Sequence, residues 1–387
     1  MRRLIVLLAL WGVPLGAQSP GDLPGDVHPD SRSRLPPIAR ETLNEQGKKA
    51  YDAAAAVSPG GRPEGAAAIR LHRSGVDVRW LSPLGRALTE LAIISTAREH
   101  DQPYEWSLHQ QEALAVGLDP AVVEVVRSAK PLAGVAEKDA VVIQLARELH
   151  THKVSSETYA RALKAFGETN FVDLVSLMAN YAATATRLSA FNQQMPPDWK
   201  QFLPLPFTPP ADIHADSRSR LPLIRTPANA AATPPPLYSR GLAPVGTGPG
   251  EIGRHGAGLK SLEASVGRRL MSAAVLVTAR THDQQYDWTM SEIAARKDGL
   301  EPAIIDAIRD MKPATGLGQQ ETAIIQFGRE LFGKHYVSAD TYARALQIFG
   351  ERDLVDLVGL MAQHADEATL LTAFDQHLPA GQKPLLP

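Results

Sequence analysis

The sequence predicts an all-α protein made of two tandem helical repeats, and three observations carry that prediction. Apolar residues recur three and four positions apart, as Leu84, Leu88, Leu91 and Ile94 do, which is the period of one helix face. No window alternates polar and apolar residues as a half-buried strand does. Residues 97–117, AREHDQPYEWSLHQQEALAVG, return as residues 279–299, ARTHDQQYDWTMSEIAARKDG, at a shift of 182 positions. Self-similarity at a long fixed period marks a duplicated unit.

In chain order, residues 1–17 read as a secretory signal peptide: a basic start, an apolar run over 4–13, Pro14 and a small residue at Ala17. The run is short for a permanent membrane anchor. Residues 18–40 form an arm rich in Pro, Asp and Ser that holds SRSRLPPI at 31–38, and SRSRLPLI recurs at 217–224. Each X-Pro step disfavours helix at the residue before it, so both basic arms are expected to lie extended over a neighbouring surface. The first repeat spans 41–195. A helix over 41–56 stops at Ser58-Pro59-Gly60-Gly61, and a short one follows over 65–72. Helices over 84–99 and 104–116 flank the turn Asp101-Gln102-Pro103, with Asp101 expected to cap the second and Gly117 to end it. Asp119-Pro120 starts the next helix, as N-cap and first-turn proline. Helices over 137–150, 155–166 and 169–191 complete the repeat. Residues 196–250, dense in Pro, Ala and Gly, read as linker and arm, and ANAAATPPP at 228–236 implies that the counterpart of helix 41–56 is lost. The second repeat spans 251–378, with one residue inserted near Lys334.

A length of 387 residues is enough for two units, each with its own core. The chain is 44% hydrophobic and 21% charged, with a net charge of -2; without Arg2 and Arg3 it has 38 basic against 42 acidic residues, or -4. No nucleic-acid surface follows from that balance, and no stretch after the first seventeen residues is long and apolar enough for a membrane helix. Cysteine is absent, which excludes disulfides and thiolate chemistry.

The arm at 33–38 (SRLPPI), TELAI at 89–93, YEWSLH at 104–109, VSSETYARALKAFG at 154–167 and the LVSLMANY helix, in that order, resemble the carboxymuconolactone decarboxylase family, part of the superfamily that includes the AhpD alkylhydroperoxidases. The resemblance covers nearly all of the first repeat, and the second from about residue 267. In the hydroperoxidase branch the similar segment carries a Glu, two Cys separated by two residues and a His nineteen residues after the Glu. Here Glu90 and His109 match, while Gln102 and Glu105 stand where the cysteines would be. Thiol-dependent peroxidase activity is thereby excluded. The resemblance implies an AhpD-like helical fold, self-association into a homo-oligomer and cofactor-free chemistry without a metal.

Glu105 and His109 are four apart on one helix, within reach of each other, and Glu90 on the preceding helix can fold back beside them. A carboxylate beside an imidazole orients one ring nitrogen, raises its pKa and makes an acid/base pair. The competing reading is an ordinary helix-surface Glu-His pair. Arg98 is a candidate clamp for a substrate carboxylate or a partner of a nearby acid, and Trp106 a candidate substrate wall or core residue. The second repeat has Ser272, Asp287 and Ser291 at the positions of Glu90, Glu105 and His109, a degenerate set. His100-Asp101 and His282-Asp283 are read as turn residues, and His150 and His152 lie on different faces and are not expected to bind metal. The expected function is an exported, periplasmic or secreted, lyase acting on a small carboxylated lactone or related carbon acid. A lactone hydrolase or isomerase and a non-catalytic binding or scaffold protein are the alternatives.

Overall fold

A computed structural model describes residues 23–58, 60–195, 202–203, 212–224 and 247–387, and among them the regular structure is helical throughout. After a single 3-10 turn at Arg40–Thr42, the first half contains α1 (Glu45–Val57), α2 (Gly65–Arg70), α3 (Val78–Leu81), α4 (Arg86–Glu99) and α5 (Pro103–Ala115). It continues through α6 (Pro120–Arg127), α7 (Glu137–His150), α8 (Ser156–Phe166) and α9 (Glu168–Ala190). The second half contains α10 (Pro249–Gly253), α11 (Leu259–Ser265), α12 (Arg268–Thr281), α13 (Gln285–Lys297), α14 (Pro302–Arg309), α15 (Gln319–Lys334) and α16 (Ala339–Ala373). Segment 1–17, read above as a signal peptide, segment 228–236 and most of 196–250 lie outside the described residues. No described helix is long and apolar enough to cross a membrane.

Caps set the helix ends. Asn44 accepts from the backbone of Gly47, so α1 starts at Glu45 rather than at 41. Asp119 caps α6 and Ser155 caps α8, as their sequence positions suggest. Asp101 does not cap α5. It takes a left-handed backbone (φ 47) and pairs with Arg98, and the Gln102 side chain caps instead by accepting from Tyr104 N at 3.0 Å. Gln284 repeats that cap on Tyr286 N at 2.9 Å.

Helices α12, α13 and α14 begin and end 182 residues after α4, α5 and α6. Gly167, between α8 and α9, and Gly350, the break inside α16, share a φ of 72° that a side chain would strain. Past that break, α16 mirrors α9. The two long helices pack on each other, and their C-terminal ends exchange cores. Leu370, Leu371, Ala373 and Phe374 complete the first half's core, while Leu188, Ala190, Phe191 and Met195 complete the second's.

The arms lock the exchange. Arg34 N donates to Phe374 O at 2.8 Å, and Arg220 N to Phe191 O at 2.9 Å. Tyr159 donates to Arg34 O at 2.8 Å and Tyr342 to Arg220 O at 3.3 Å, so each arm is held between the two halves. The reason is local: a Pro-bearing segment cannot satisfy its own backbone groups by helix formation and must find partners elsewhere. Helix α4 is buried around its whole circumference from Leu88 to Ala97, not along one stripe. It is the central helix of the first half, and its polar residues must be satisfied inside the protein.

The exchange makes a testable prediction. Phe374 is fully buried in the core of the other half, so Phe374→Ala should cost about 3–5 kcal/mol in urea unfolding. Hydrogen exchange should show the loss in α7 of the first half as well as in α16. Met311→Ala, at an exposed position, should stay within about 0.5 kcal/mol.

Candidate active site

Helix α4 places Glu90 at the centre of the first half, fully buried. Ser82-Pro83 breaks the chain between α3 and α4, and Gly85, at φ 82, turns it so that α3 folds back over α4. That return sets Arg79 against Glu90 at 3.0 Å, and Arg86, one turn before Glu90, joins it at 2.6 Å. Trp80 lies under both guanidinium groups, 4.8 Å from Arg79 and 3.8 Å from Arg86. The Asp101-Gln102 turn sends α5 back along α4, and His109 Nδ1 meets Glu90 Oε2 at 2.7 Å. Tyr181, from α9, stands edge-on to the His109 ring with centres 5.0 Å apart. Arg86 also reaches Glu112 at 3.4 Å.

Three of the residues singled out in the sequence therefore come together, but not as expected. The imidazole pairs with Glu90 across two helices, and not with Glu105 on its own helix. Glu105 is 2% exposed, and neither of its carboxyl oxygens has a hydrogen-bond partner among the described residues. Burial pushes Glu105 well above the usual carboxylate range, against a weaker pull from Arg79. Burial acts on Glu90 in the same sense, but the His109 hydrogen bond and charge, with Arg79 and Arg86, outweigh it and hold Glu90 down at about 2. His109 is lowered, not raised, because burial outweighs the Glu90 bond. The site thus sets an ionised Glu90 against a His109 biased toward its neutral form, while burial biases Glu105 toward its protonated form. With Nδ1–H donated to Glu90, Nε2 is the basic nitrogen, a tautomer inferred from the bonding.

Arg98 joins the α4–α5 turn instead of this site. It pairs with Asp101 at 2.5 Å and donates to Arg127 O at 2.9 Å, and Arg280 repeats both contacts. Trp106 is sealed in the core with its indole nitrogen on Gln110 at 2.7 Å, so it is packing and not a substrate wall. The aromatic side chains at the site are Trp80 and Tyr181; Arg86 stands four residues before Glu90 on the same helix, whereas Arg79 gave no spacing signal with Glu90 across the Ser82-Pro83 break.

The second half keeps an acid and an imidazole in a different order. Ser272 donates to Asp298 at 2.8 Å and Ser291 to Asp287 at 3.1 Å. His364, which stands where the first half has Tyr181, meets Asp287 at 3.2 Å. Burial lowers His364, but the Asp287 bond and charge outweigh it and the net shift is upward. Reading only the positions of Glu90, Glu105 and His109 misses this pair, because its imidazole comes from α16.

A second group of titratable residues meets between the halves. A cavity of about 60 Å³ is lined by His100, His150, His152, His282 and His335. The sequence reading treated His100 and His282 as turn residues and set aside His150 and His152; the missed signal was that His335 repeats His152 at a shift of 183. As set, no group of three or more His, Asp or Glu among the described residues could hold a metal ion. No family model, curated protein or solved structure matches the chain.

Two carboxylates with opposite environments should respond oppositely to replacement. Glu105→Met should stabilise the protein by about 1–3 kcal/mol at pH 8 in urea titration, because an unpartnered buried carboxyl is removed. Its raised folded pKa means that the carboxyl is best tolerated at low pH, so the gain should shrink toward pH 4. Glu90→Gln should cost about 3–5 kcal/mol at neutral pH, since Arg79, Arg86 and His109 lose their anion. With Glu90 depressed to about 2, its contribution is present above about pH 4.5 and disappears as pH falls toward 2.

Proposed function

We propose that the first half is a cofactor-free acid/base site acting on a small carboxylated lactone or related carbon acid, within a duplicated carboxymuconolactone decarboxylase-like chain that is exported. The observation that carries this reading is that two buried carboxyls of one cluster are driven in opposite directions, Glu90 downward by His109 and the arginines and Glu105 upward by burial. Paired titratable groups pushed apart by their surroundings are how one site supplies an acid and a base at the same pH. Dry, charge-selective surroundings are costly to maintain, and an orphaned buried carboxyl is a liability unless a reaction uses it.

In the lyase reaction, the bond from the substrate's ring carbon to its carboxylate breaks and CO2 leaves. The electron pair passes into a dienolate conjugated with the lactone carbonyl. Glu105 gives its proton to carbon and later regains one from water, so that one proton is consumed for each CO2 released. His109, fixed by Glu90, offers Nε2 to the substrate as hydrogen-bonding base. Arg79 and Arg86 supply the positive potential that draws a carboxylate toward the site. Of the two carboxylates expected beside His109, Glu90 orients the ring and Glu105 serves as the acid.

One observation favours a non-catalytic reading. Glu90, Glu105 and His109 are at most 2% exposed, so the same cluster could be an internal polar clasp. Turnover of 4-carboxymuconolactone by the chain from Gln18 onward decides between them, followed by CO2 release and ultraviolet absorbance. His109→Ala and Glu105→Gln should each lower kcat/KM by about 10²–10⁴-fold while the proteins remain folded. The profile should fall on the acid side at a pH lower than an ordinary imidazole would give, as His109 is protonated, and on the alkaline side at a pH above the ordinary carboxylate range, when Glu105 ionises. Lactone consumption without CO2 would move the assignment to hydrolysis or isomerisation. No turnover by the folded parent would leave the clasp.

A further inference from the structure

The histidines between the halves form two related corners. His100 closes α4 and His282 closes α12, 182 residues apart; His152 and His335 follow α7 and α15, 183 apart, both with left-handed backbone at φ 58 and 52. Each close pair joins one half to the other. Ring centres of His100 and His335 are 5.4 Å apart, and those of His152 and His282 are 5.2 Å apart. His150 completes the first corner, 5.4 Å from His335 and 6.1 Å from His100, where the second corner has Phe332, 4.9 Å from His282. Only His282 has a hydrogen bond at a ring nitrogen, to Thr278 O at 2.8 Å; His100, His150, His152 and His335 have none among the described residues.

We propose that this seam is an acid-sensitive joint, in which protonation of the rings at mildly acidic pH parts the α4–α7 corner of the first half from the α12–α15 corner of the second.

The charges facing the rings do not offset protonation. From α4 and its turn come Glu99 and Asp101, but Asp101 is paired with Arg98. Helix α7 adds Arg147, near Glu99. From α12 and its turn, Asp283 is paired with Arg280. Asp287 on α13 influences His282 but is bonded to His364. Helices α9 and α16 face the cavity with Thr186, Ser189 and Thr369, which carry no charge. Two imidazolium ions at 5–6 Å inside a protein repel about four times more strongly than in water.

Burial first, and the neighbouring rings second, lower His152 to about 3 and His335 to about 4, with His100 well below its ordinary value. Burial also lowers His282, against its Thr278 bond. A ring with a depressed folded pKa binds fewer protons closed than open. The closed seam is therefore fully stable above about pH 6.5 and weakens as pH falls toward 4, each such ring multiplying the opening constant by up to ~10 per pH unit. Glu99, raised by burial, works in the opposite sense, but it is one group against four.

Hydrogen exchange of the full chain at pH 7.5 and 4.5, corrected for intrinsic rates, tests the joint. Segments 96–102, 146–154, 279–284 and 331–337 should open at pH 4.5 before α5 does. The double variant His152→Asn, His335→Asn keeps residues that tolerate left-handed backbone, and it should lower the pH dependence of opening by up to ~100-fold per unit. If that variant does not fold, His150→Phe, which copies Phe332, should shift opening to lower pH by removing the ring that faces both His100 and His335. Seam segments that exchange no sooner than α5 would overturn the proposal, as would a pH dependence unchanged in the double variant, or in His150→Phe where the double variant does not fold.

Discussion

Each hydrophobic core here is closed by the end of a helix that belongs mainly to the other core. Phe374 packs against Phe171 at 5.3 Å between ring centres in the first half, while Phe191 meets Tyr342 at 6.2 Å in the second. Neither half can lose the end of α9 or α16 without opening an apolar surface in its neighbour. Arg34 and Arg220 hold those ends in place, each stacked on the tyrosine to which its own carbonyl is bonded, 5.0 Å from Tyr159 and 4.7 Å from Tyr342. The two units thus share one folding problem, and the contact between α4 and α12 corners that brings five histidines together is a consequence.

Burial of α4 on every side has a second consequence. A carboxylate on such a helix has no water to solvate it, so Glu90 persists as an ion only because two guanidiniums and an imidazole converge on it. Those three partners come from α3, α4 and α5, and all are fixed by the same cluster. Glu105, only nineteen residues from Arg86, has no such set of partners among the described residues, and burial shifts it toward its protonated form. The chemistry attributed to this site depends on that inequality, which arises from the number of donors at each carboxyl and not from residue type.

The two halves share a packing tie while their buried polar groups differ. His72 bonds Glu168 at 2.8 Å and His255 bonds Glu351 at 2.7 Å, so the tie between the short helix and the long one is the same in both. The acid/base positions have moved: the first half sets an imidazole on α5 against a tyrosine on α9, and the second a serine on α13 against an imidazole on α16. Compared position by position, the second site looks lost; in space, an acid still faces an imidazole.

Helix class, several helix ends and the internal correspondence were legible in the sequence because they depend on neighbours in the chain: periodicity, Asp119 as a cap, Gly117 as an end and the shift of 182 residues. The meeting of Glu90 with His109 was within reach for the same reason, one turn joining two adjacent helices. What the chain alone left open was which carboxyl the imidazole would choose, because Glu105 was nearer in sequence while Glu90 had Arg79 returning across a proline break. Nor could spacing reveal the histidine seam, whose closest pairs are His100 with His335 and His152 with His282. Local propensity is set by residues a few positions apart, whereas protonation state and the pairing of the two halves depend on burial and distance, which only the folded chain supplies.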